Sequence, residues 1–388
     1  MDGIEGLKLT HTYTTIDLFS GAGGMAEGFK RAGFKALVAT DYDLMAGRTF
    51  QHNHPDTPFI LADIAELDTD DLMSAAKVQP GEVDVVCGGP PCQGFSLAGA
   101  RLADDPRNQL FLEFARVLCA VQPRFFIFEN VAGLISMQGG AVLTAILSTF
   151  RELGYSCSWK LVNAADYGVP QSRPRVIIMG HRGEGAPTFP PATHGPSSQQ
   201  SSFFNQTQPY VTAWEALSDL PVVYQGQGDE ISIHTQPPSN SYQRDRRGTR
   251  VPGFVYNHRA TGHSQEIIAR YESIPEGGSA KDVPPHLQTK KKNYFRLAGD
   301  RPSRTVTCNH RTDILHPKIP RGTTVREAAR LQSFDDDYQF FGNLTRKAKY
   351  VTQDDQVGNA VPPLLAEALA NQIYIRLQNA EGCSVAAE

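Results

Sequence analysis

Short apolar runs alternate with helix-length amphipathic stretches through the first 180 residues, and this alternation constrains the fold more than any other feature of the chain. Tyr13 to Phe19, Ala36 to Ala39, Val83 to Cys87, Phe125 to Phe128 and Val176 to Met179 read as buried strands. Amphipathic segments near residues 24–32, 43–53, 107–120 and 140–152 read as the helices between them. Strands separated by helices of that length predict a parallel sheet covered on both faces, an α/β, Rossmann-like, doubly wound domain. Gly33 and Gly154 directly follow two of the helices, where a left-handed C-terminal cap is wanted.

Past about Gly180 the character changes. Residues 181–300 are rich in Pro, Gly, Ser, Gln and Asn, with no sustained periodicity and only two short apolar runs. They read as a smaller, irregular domain. Arg244-Asp-Arg-Arg-Gly-Thr-Arg250 and Lys290-Lys-Lys292 are the densest basic clusters. Such runs read either as solvated loops or as phosphate contacts. Order returns after about Arg301, and a last helical pattern spans Pro363 to Leu377.

Composition narrows the class. With 40% hydrophobic and 20% charged residues over 388 positions, the chain is neither disordered, collagen-like nor coiled coil. No stretch approaches the roughly 20 apolar residues of a membrane span. The start, MDGIEGLKLTHTY, lacks the basic and apolar regions of a secretory signal. Cys87, Cys92, Cys119, Cys157, Cys308 and Cys383 form no C-x-x-C pair, which predicts a reducing compartment with neither disulfide framework nor metal site. A formal charge of −4 requires any nucleic-acid surface to be local.

Asp17-Leu-Phe-Ser-Gly-Ala-Gly-Gly24 closes the first strand and opens a helix. Its glycines permit a tight turn and close ligand approach at the helix N-terminus. It is not the dinucleotide G-x-G-x-x-G, which disfavours a nicotinamide dehydrogenase. Asp41 ends the second strand, where an acidic residue accepts from ribose hydroxyls, and Asp63 follows the third. Three carboxylates at successive strand ends beside a glycine turn suit a nucleoside without phosphates, S-adenosylmethionine better than NAD. Plain helix caps are the alternative reading of the same residues.

Gly88-Gly-Pro-Pro-Cys-Gln-Gly-Phe-Ser96 follows the fourth strand directly. Prolines stiffen that turn and glycines expose Cys92 at the strand's C-terminal end, which makes its thiolate a candidate nucleophile. Glu129 follows Arg124-Phe-Phe-Ile-Phe128 to the same sheet edge. A partly desolvated carboxyl there can keep a proton and donate it to a ring nitrogen.

With these residues in place, the chain resembles the DNA (cytosine-5)-methyltransferases of bacterial restriction-modification type. Asp-Leu-Phe-Ser-Gly-Ala-Gly-Gly (17–24), Gly-Pro-Pro-Cys-Gln-Gly-Phe-Ser (89–96), Glu-Asn-Val (129–131), Gln-Ser-Arg-Pro-Arg (171–175), Arg-Pro-Ser-Arg-Thr-Val-Thr (301–307) and Gln-Val-Gly-Asn-Ala-Val (356–361) occur in the family's order. The resemblance implies a class I methyltransferase fold, with a catalytic and cofactor-binding domain at 1–180 and a target-recognition domain at 181–300. Residues 301–388 would complete the recognition domain and return a C-terminal helix to the catalytic one.

The resemblance also implies roles. Cys92 would add to cytosine C6, Glu129 would act at N3, Arg175 would bind O2, and Arg173 would steady the site. Phe19, Gly21, Gly23, Gly24, Asp41, Tyr42, Asp63, Ile64, Pro90, Asn359 and Val361 would bind S-adenosylmethionine and release S-adenosylhomocysteine, with no metal. Asp41 departs from the family's more usual glutamate. The segment Gly94 to Asp105 would close on a base flipped out of double-stranded DNA. A cytoplasmic bacterial monomer, paired functionally with a restriction endonuclease, completes the expectation. The related branch acting on transfer RNA carries a Cys-Phe-Thr tripeptide that is absent here.

Overall fold

The computed structural model describes residues 12–91, 109–196, 207–344 and 350–385. Cys92 and the segment Gly94 to Asp105 lie outside them.

The first half builds a seven-stranded sheet from β1 (Thr14–Leu18), β2 (Lys35–Asp41), β3 (Phe59–Leu61), β4 (Val85–Gly88), β5 (Phe125–Val131), β6 (Ser156–Asn163) and β7 (Pro174–His181). Their order across the sheet is β3-β2-β1-β4-β5-β7-β6. Helices α1 (Gly24–Arg31), α2 (Leu44–Asn53), α3 (Thr69–Ala76), α4 (Gln109–Val121) and α5 (Ala141–Glu152) connect the strands. Side chains of α3, α4 and α5 bury one face with Ile16, Val38, Val86, Phe126 and Phe128. On the other face α1 and the C-terminal helix Pro363–Val385 pack over Val85, Cys87, Phe125 and Ile127. The helix cap residues behave as their chemistry requires: Asp43 accepts from the Met45 and Ala46 N–H groups, and Gly33 and Gly154 adopt φ of +88° and +86°.

Two features depart from the sequence reading. β7 runs antiparallel to β5, and β6, whose polar sequence gave no strand signal, pairs antiparallel with β7. The cause is the connection: β6 and β7 are joined by residues 164–173, which hold only the single 3-10 turn Ala164–Tyr167, too short for the crossover that parallel strands need. The sheet is therefore mostly, not wholly, parallel.

The strand order runs outward in opposite directions from the parallel pair β1 and β4, a topological switch point. Ligands of open α/β sheets sit at the carboxyl ends of strands there. The remaining residues form an irregular body whose core joins Leu217 and Leu220 to Val325, Ala328, Phe334, Tyr338 and Phe340, and touches the sheet domain at Ala22. The C-terminal helix returns along α1 so closely that a Cβ on Gly28 would lie 2.5 Å from the Pro363 carbonyl oxygen. No described helix is long and apolar enough to cross a membrane.

Candidate active site

One cavity of about 580 Å³ opens at the switch point. Its lining includes Phe19, Gly21, Gly24, Asp41, Tyr42, Asp63, Ile64, Pro90, Glu129, Arg173, Arg175, Asn359 and Val361. Residues expected from seven separate stretches thus meet in one place.

The glycine turn takes its shape from three left-handed residues: Phe19 at φ +53°, Gly21 at +53° and Gly23 at +86°. A phenylalanine there is uncommon and persists only where its surroundings over-determine it. Asp41 contributes, its Oδ2 accepting from the Gly21 N–H at 2.8 Å and its Oδ1 from the Asp43 N–H at 3.0 Å. Gly23 backs onto Tyr338 on the far side of the turn. It does not line the cavity, and a Cβ there would sit 2.7 Å from Tyr338 Oη. Gly24 permits the C-terminal segment to close the pocket, since a Cβ would lie 2.3 Å from the Val361 carbonyl oxygen.

The antiparallel pairing missed in the sequence positions the chemistry. It places Val131 opposite Arg175 and Glu129 opposite Ile177, so the side chains of 129 and 175 share one face as diagonal neighbours. Arg175 Nε lies 2.9 Å from Glu129 Oε1, and Arg175 Nη1 donates to the Pro174 carbonyl at 2.8 Å. Gly89 leaves room for the carboxylate, because a Cβ there would be 2.8 Å from Glu129 Oε2. Asn130 Nδ2 donates to the Pro90 carbonyl at 2.9 Å and pins the turn that leads to Cys92.

Arg173 is held by the segments that close the cavity. Its side chain is fully buried and donates to the carbonyls of Val306 (3.0 Å), Gly358 (2.8 Å) and Ala360 (3.1 Å). Burial lowers its pKa to about 9. Those bonds clasp the segment bearing Asn359 against the sheet. Asn359 is itself oriented by the Cys308 thiol, 3.0 Å from its Oδ1.

The basic run departs from both of its sequence readings. Arg246 lies 3.2 Å from Asp335, Arg247 is 2.9 Å from Asp219, and Arg250 is 2.5 Å from Glu27. Only Arg244 of the run's four arginines is exposed without such a pair among the described residues. Lys290, Lys291 and Lys292 remain exposed. The sequence reading also missed Leu110, Met137 and Val351 in the cavity wall. They lie in three distant segments, and no local pattern marks them as facing one cavity.

Asp17 is the buried member of the acidic set. Its Oδ2 has no hydrogen-bond partner among the described residues. Burial pushes its carboxyl up to about 8, against the opposing Ala26 and Cys87 hydrogen bonds, and Asp41 adds to the rise. Between the ordinary value of 3.8 and about 8, the folded chain binds a proton that the unfolded chain has released. Stability therefore falls as pH rises through that window and levels above it. The stability gain of Asp17→Asn over wild type should grow over the same window, measured by urea unfolding from about pH 5 to 9. A gain or loss independent of pH would overturn this assignment.

The family model for C-5 cytosine-specific DNA methylases matches residues 13–375. The chain belongs to that family. It is accordingly an enzyme that methylates cytosine C5 in DNA. The type II methyltransferase M.DdeI of Desulfomicrobium norvegicum is 39% identical, over 94% of this chain and 89% of the relative. M1.HphI of Haemophilus parahaemolyticus is 37% identical, over 93% and 86%. A prophage-encoded E. coli protein described as a DNA modification methyltransferase superposes with a TM-score of 0.73 at 27% identity, covering 95% of this chain and 100% of that structure. The Schizosaccharomyces pombe Dnmt2 methyltransferase shares the fold at a TM-score of 0.57 and 16% identity, over 95% and 99% of the two chains.

Proposed function

We propose that the chain transfers a methyl group from S-adenosylmethionine to C5 of a cytosine flipped out of a specific double-stranded DNA sequence, through a covalent bond between Cys92 and C6. The observation that carries this reading is the Glu129–Arg175 pair, 2.9 Å apart, in the same cavity as the glycine turn and Asp41.

The cavity suits the cofactor. Its volume of about 580 Å³ is in the usual range for ligand pockets, roughly 300–1,000 Å³. Asp41 spends one lone pair of each oxygen on main-chain N–H groups and keeps acceptor capacity for hydroxyls. Phe19, Gly21, Gly24, Asp41, Tyr42, Asp63, Ile64, Pro90, Asn359 and Val361 would hold the group. When bound, S-adenosylmethionine supplies the electrophilic methyl that C5 takes.

The chain supplies the rest. C5 of cytosine is a poor nucleophile until the Cys92 thiolate adds to C6 and Glu129 protonates or hydrogen-bonds N3, which makes an enamine. Pro91, the covalent neighbour of Cys92, lines the cavity. Arg175 holds Glu129 through Nε, and its Nη2 makes no hydrogen bond to a described residue, which leaves it for the cytosine O2. Loss of the C5 proton and expulsion of Cys92 restore the ring. Residues 181–300 are assigned the reading of the target sequence, and 1–180 with the returning C-terminal helix the chemistry. The same reading makes the enzyme a monomer in the bacterial cytoplasm, working beside a restriction endonuclease.

A duplex with 5-fluorocytosine at the target base tests the mechanism. Fluorine cannot leave C5 as a cation, so Cys92 cannot be expelled and the thioether persists. The adduct should survive denaturing electrophoresis, require S-adenosylmethionine and vanish in Cys92→Ser. No adduct on a duplex that the enzyme demonstrably methylates would defeat the covalent reading.

A further inference from the structure

The glycine turn is gripped from behind by residues outside both the sheet and the cavity. The Ala22 carbonyl accepts from Tyr338 Oη, which also lies 3.2 Å from His54 Nε2. Burial drives the His54 pKa down to about 4, so the ring is neutral at pH 7, with Nε2 within hydrogen-bond distance of the same hydroxyl. One turn into α1, Glu27 is buried and meets two guanidiniums, Arg31 Nε at 3.2 Å and Arg250 Nη2 at 2.5 Å. Burial opposes its ionisation, but Arg31 and Arg250 reverse this and hold the carboxyl below its ordinary range.

Arg250 is the hub. Its Nη1 lies 3.3 Å from Asp337 Oδ1, and its Cζ sits 5.4 Å from the centre of the Tyr338 ring. Asp337 Oδ2 accepts from the backbone N–H groups of Arg250 and Val251 at 2.6 and 3.1 Å, which fixes the loop that delivers the guanidinium. Arg31 cannot replace it, because Arg31 Nη2 already faces Asp335 at 3.1 Å.

We infer that Arg250, on the segment assigned to reading DNA, is a positioning residue for the cofactor half of the cavity, acting through Glu27 and Tyr338 on the turn 20–24. The inference rests on the proposed S-adenosylmethionine site. Ser20, Gly21, Ala22 and Gly24 line the cavity from one side; from the other, Tyr338 holds the Ala22 carbonyl and the Glu27 main-chain N–H donates to the Gly23 carbonyl at 2.9 Å. Without Arg250, Glu27 keeps one shared partner and the Tyr338 ring loses the cation beside it. The left-handed turn then relaxes.

Titration calorimetry of the full chain with S-adenosylmethionine, beside steady-state methylation, tests this. Arg250→Met should weaken cofactor binding and raise its KM about tenfold, the coupling that contacting residues in one network show, with kcat at saturation within about twofold. Arg250→Lys should recover most of the affinity, because an ammonium still reaches Glu27 although it cannot also span to Asp337. Glu27→Gln combined with Arg250→Met should recover it too, by removing the stranded charge. It also guards against a single variant that does not fold. Unchanged cofactor affinity in folded Arg250→Met overturns the inference. So does a raised KM for DNA alone, which would return Arg250 to phosphate contact. A wild-type chain that binds no S-adenosylmethionine overturns the functional reading itself, and is recognised without any substitution.

Discussion

Glu129→Gln is expected to lower kcat by about 10²- to 10⁴-fold, the usual contribution of a positioned general acid, while cofactor affinity stays within about twofold. The substitution is nearly isosteric and the site constrains how it sits. Arg175 Nε, 2.9 Å from Oε1, needs an acceptor, so the amide oxygen faces Arg175 and the amide nitrogen takes the place of Oε2. That nitrogen can hydrogen-bond to N3 but cannot transfer a proton to it. Cytosine should still bind, and formation of the 5-fluorocytosine adduct should slow in parallel with turnover. A folded Glu129→Gln protein with wild-type kcat would remove Glu129 from the chemistry.

Local motifs carried most of the cavity in the sequence. The turn at 17–24 and Asp41 each sit at the carboxyl end of a strand whose apolar run is legible, whereas the strand ahead of Asp63 is only Phe59–Leu61, too short to stand out as a run. A parallel sheet then brings those ends together without further information. What was not legible depends on pairing and partners. The β5–β7 register, which sets Arg175 beside Glu129, follows from a strand, β6, whose sequence Ser-Cys-Ser-Trp-Lys-Leu-Val-Asn reads as polar. Gly23 and Gly24 are equivalent in a motif, yet one backs onto Tyr338 and the other onto Val361. Arg173 and Arg175 are two residues apart, so in a strand they should share a face. Arg173, however, precedes the first residue of β7, Pro174, and turns inward to main-chain carbonyls. The basic run at 244–250 misled for a general reason. A cluster of arginines reads as surface unless the acids that bury it are known, and those acids lie at Glu27, Asp219, Asp335 and Asp337.

The largest expected loss of stability comes from one of those hidden charges. Arg330 is fully buried in the second core, with Nε and Nη2 on the two Asp336 oxygens at 2.6 and 2.5 Å and Nη1 on Asp219 Oδ1 at 3.0 Å. Burial alone would push the Asp336 carboxyl up, and Arg330 more than reverses it, holding it below the usual carboxylate range. Arg330→Met keeps the volume and removes the main partner of two buried carboxylates, leaving Asp336 beside His234 at 2.8 Å and Asp219 beside Arg247 at 2.9 Å. Breaking a buried pair in this way costs about 3–5 kcal/mol, a large part of a typical native stability of roughly 5–15 kcal/mol. Arg330→Lys should rescue little, since one ammonium cannot serve both carboxylates in a fork. Urea unfolding followed by circular dichroism would measure the loss, and a cost under about 1 kcal/mol would show the pair to be replaceable. Adding Asp336→Asn and Asp219→Asn to Arg330→Met should return part of the stability, because the penalty lies in the stranded charges rather than in the lost attraction. Arg330 is also absent from the cavity wall, so its loss should reduce methylation only as the folded fraction falls. The kcat of the molecules that remain folded should not change, which separates this effect from that of Glu129→Gln.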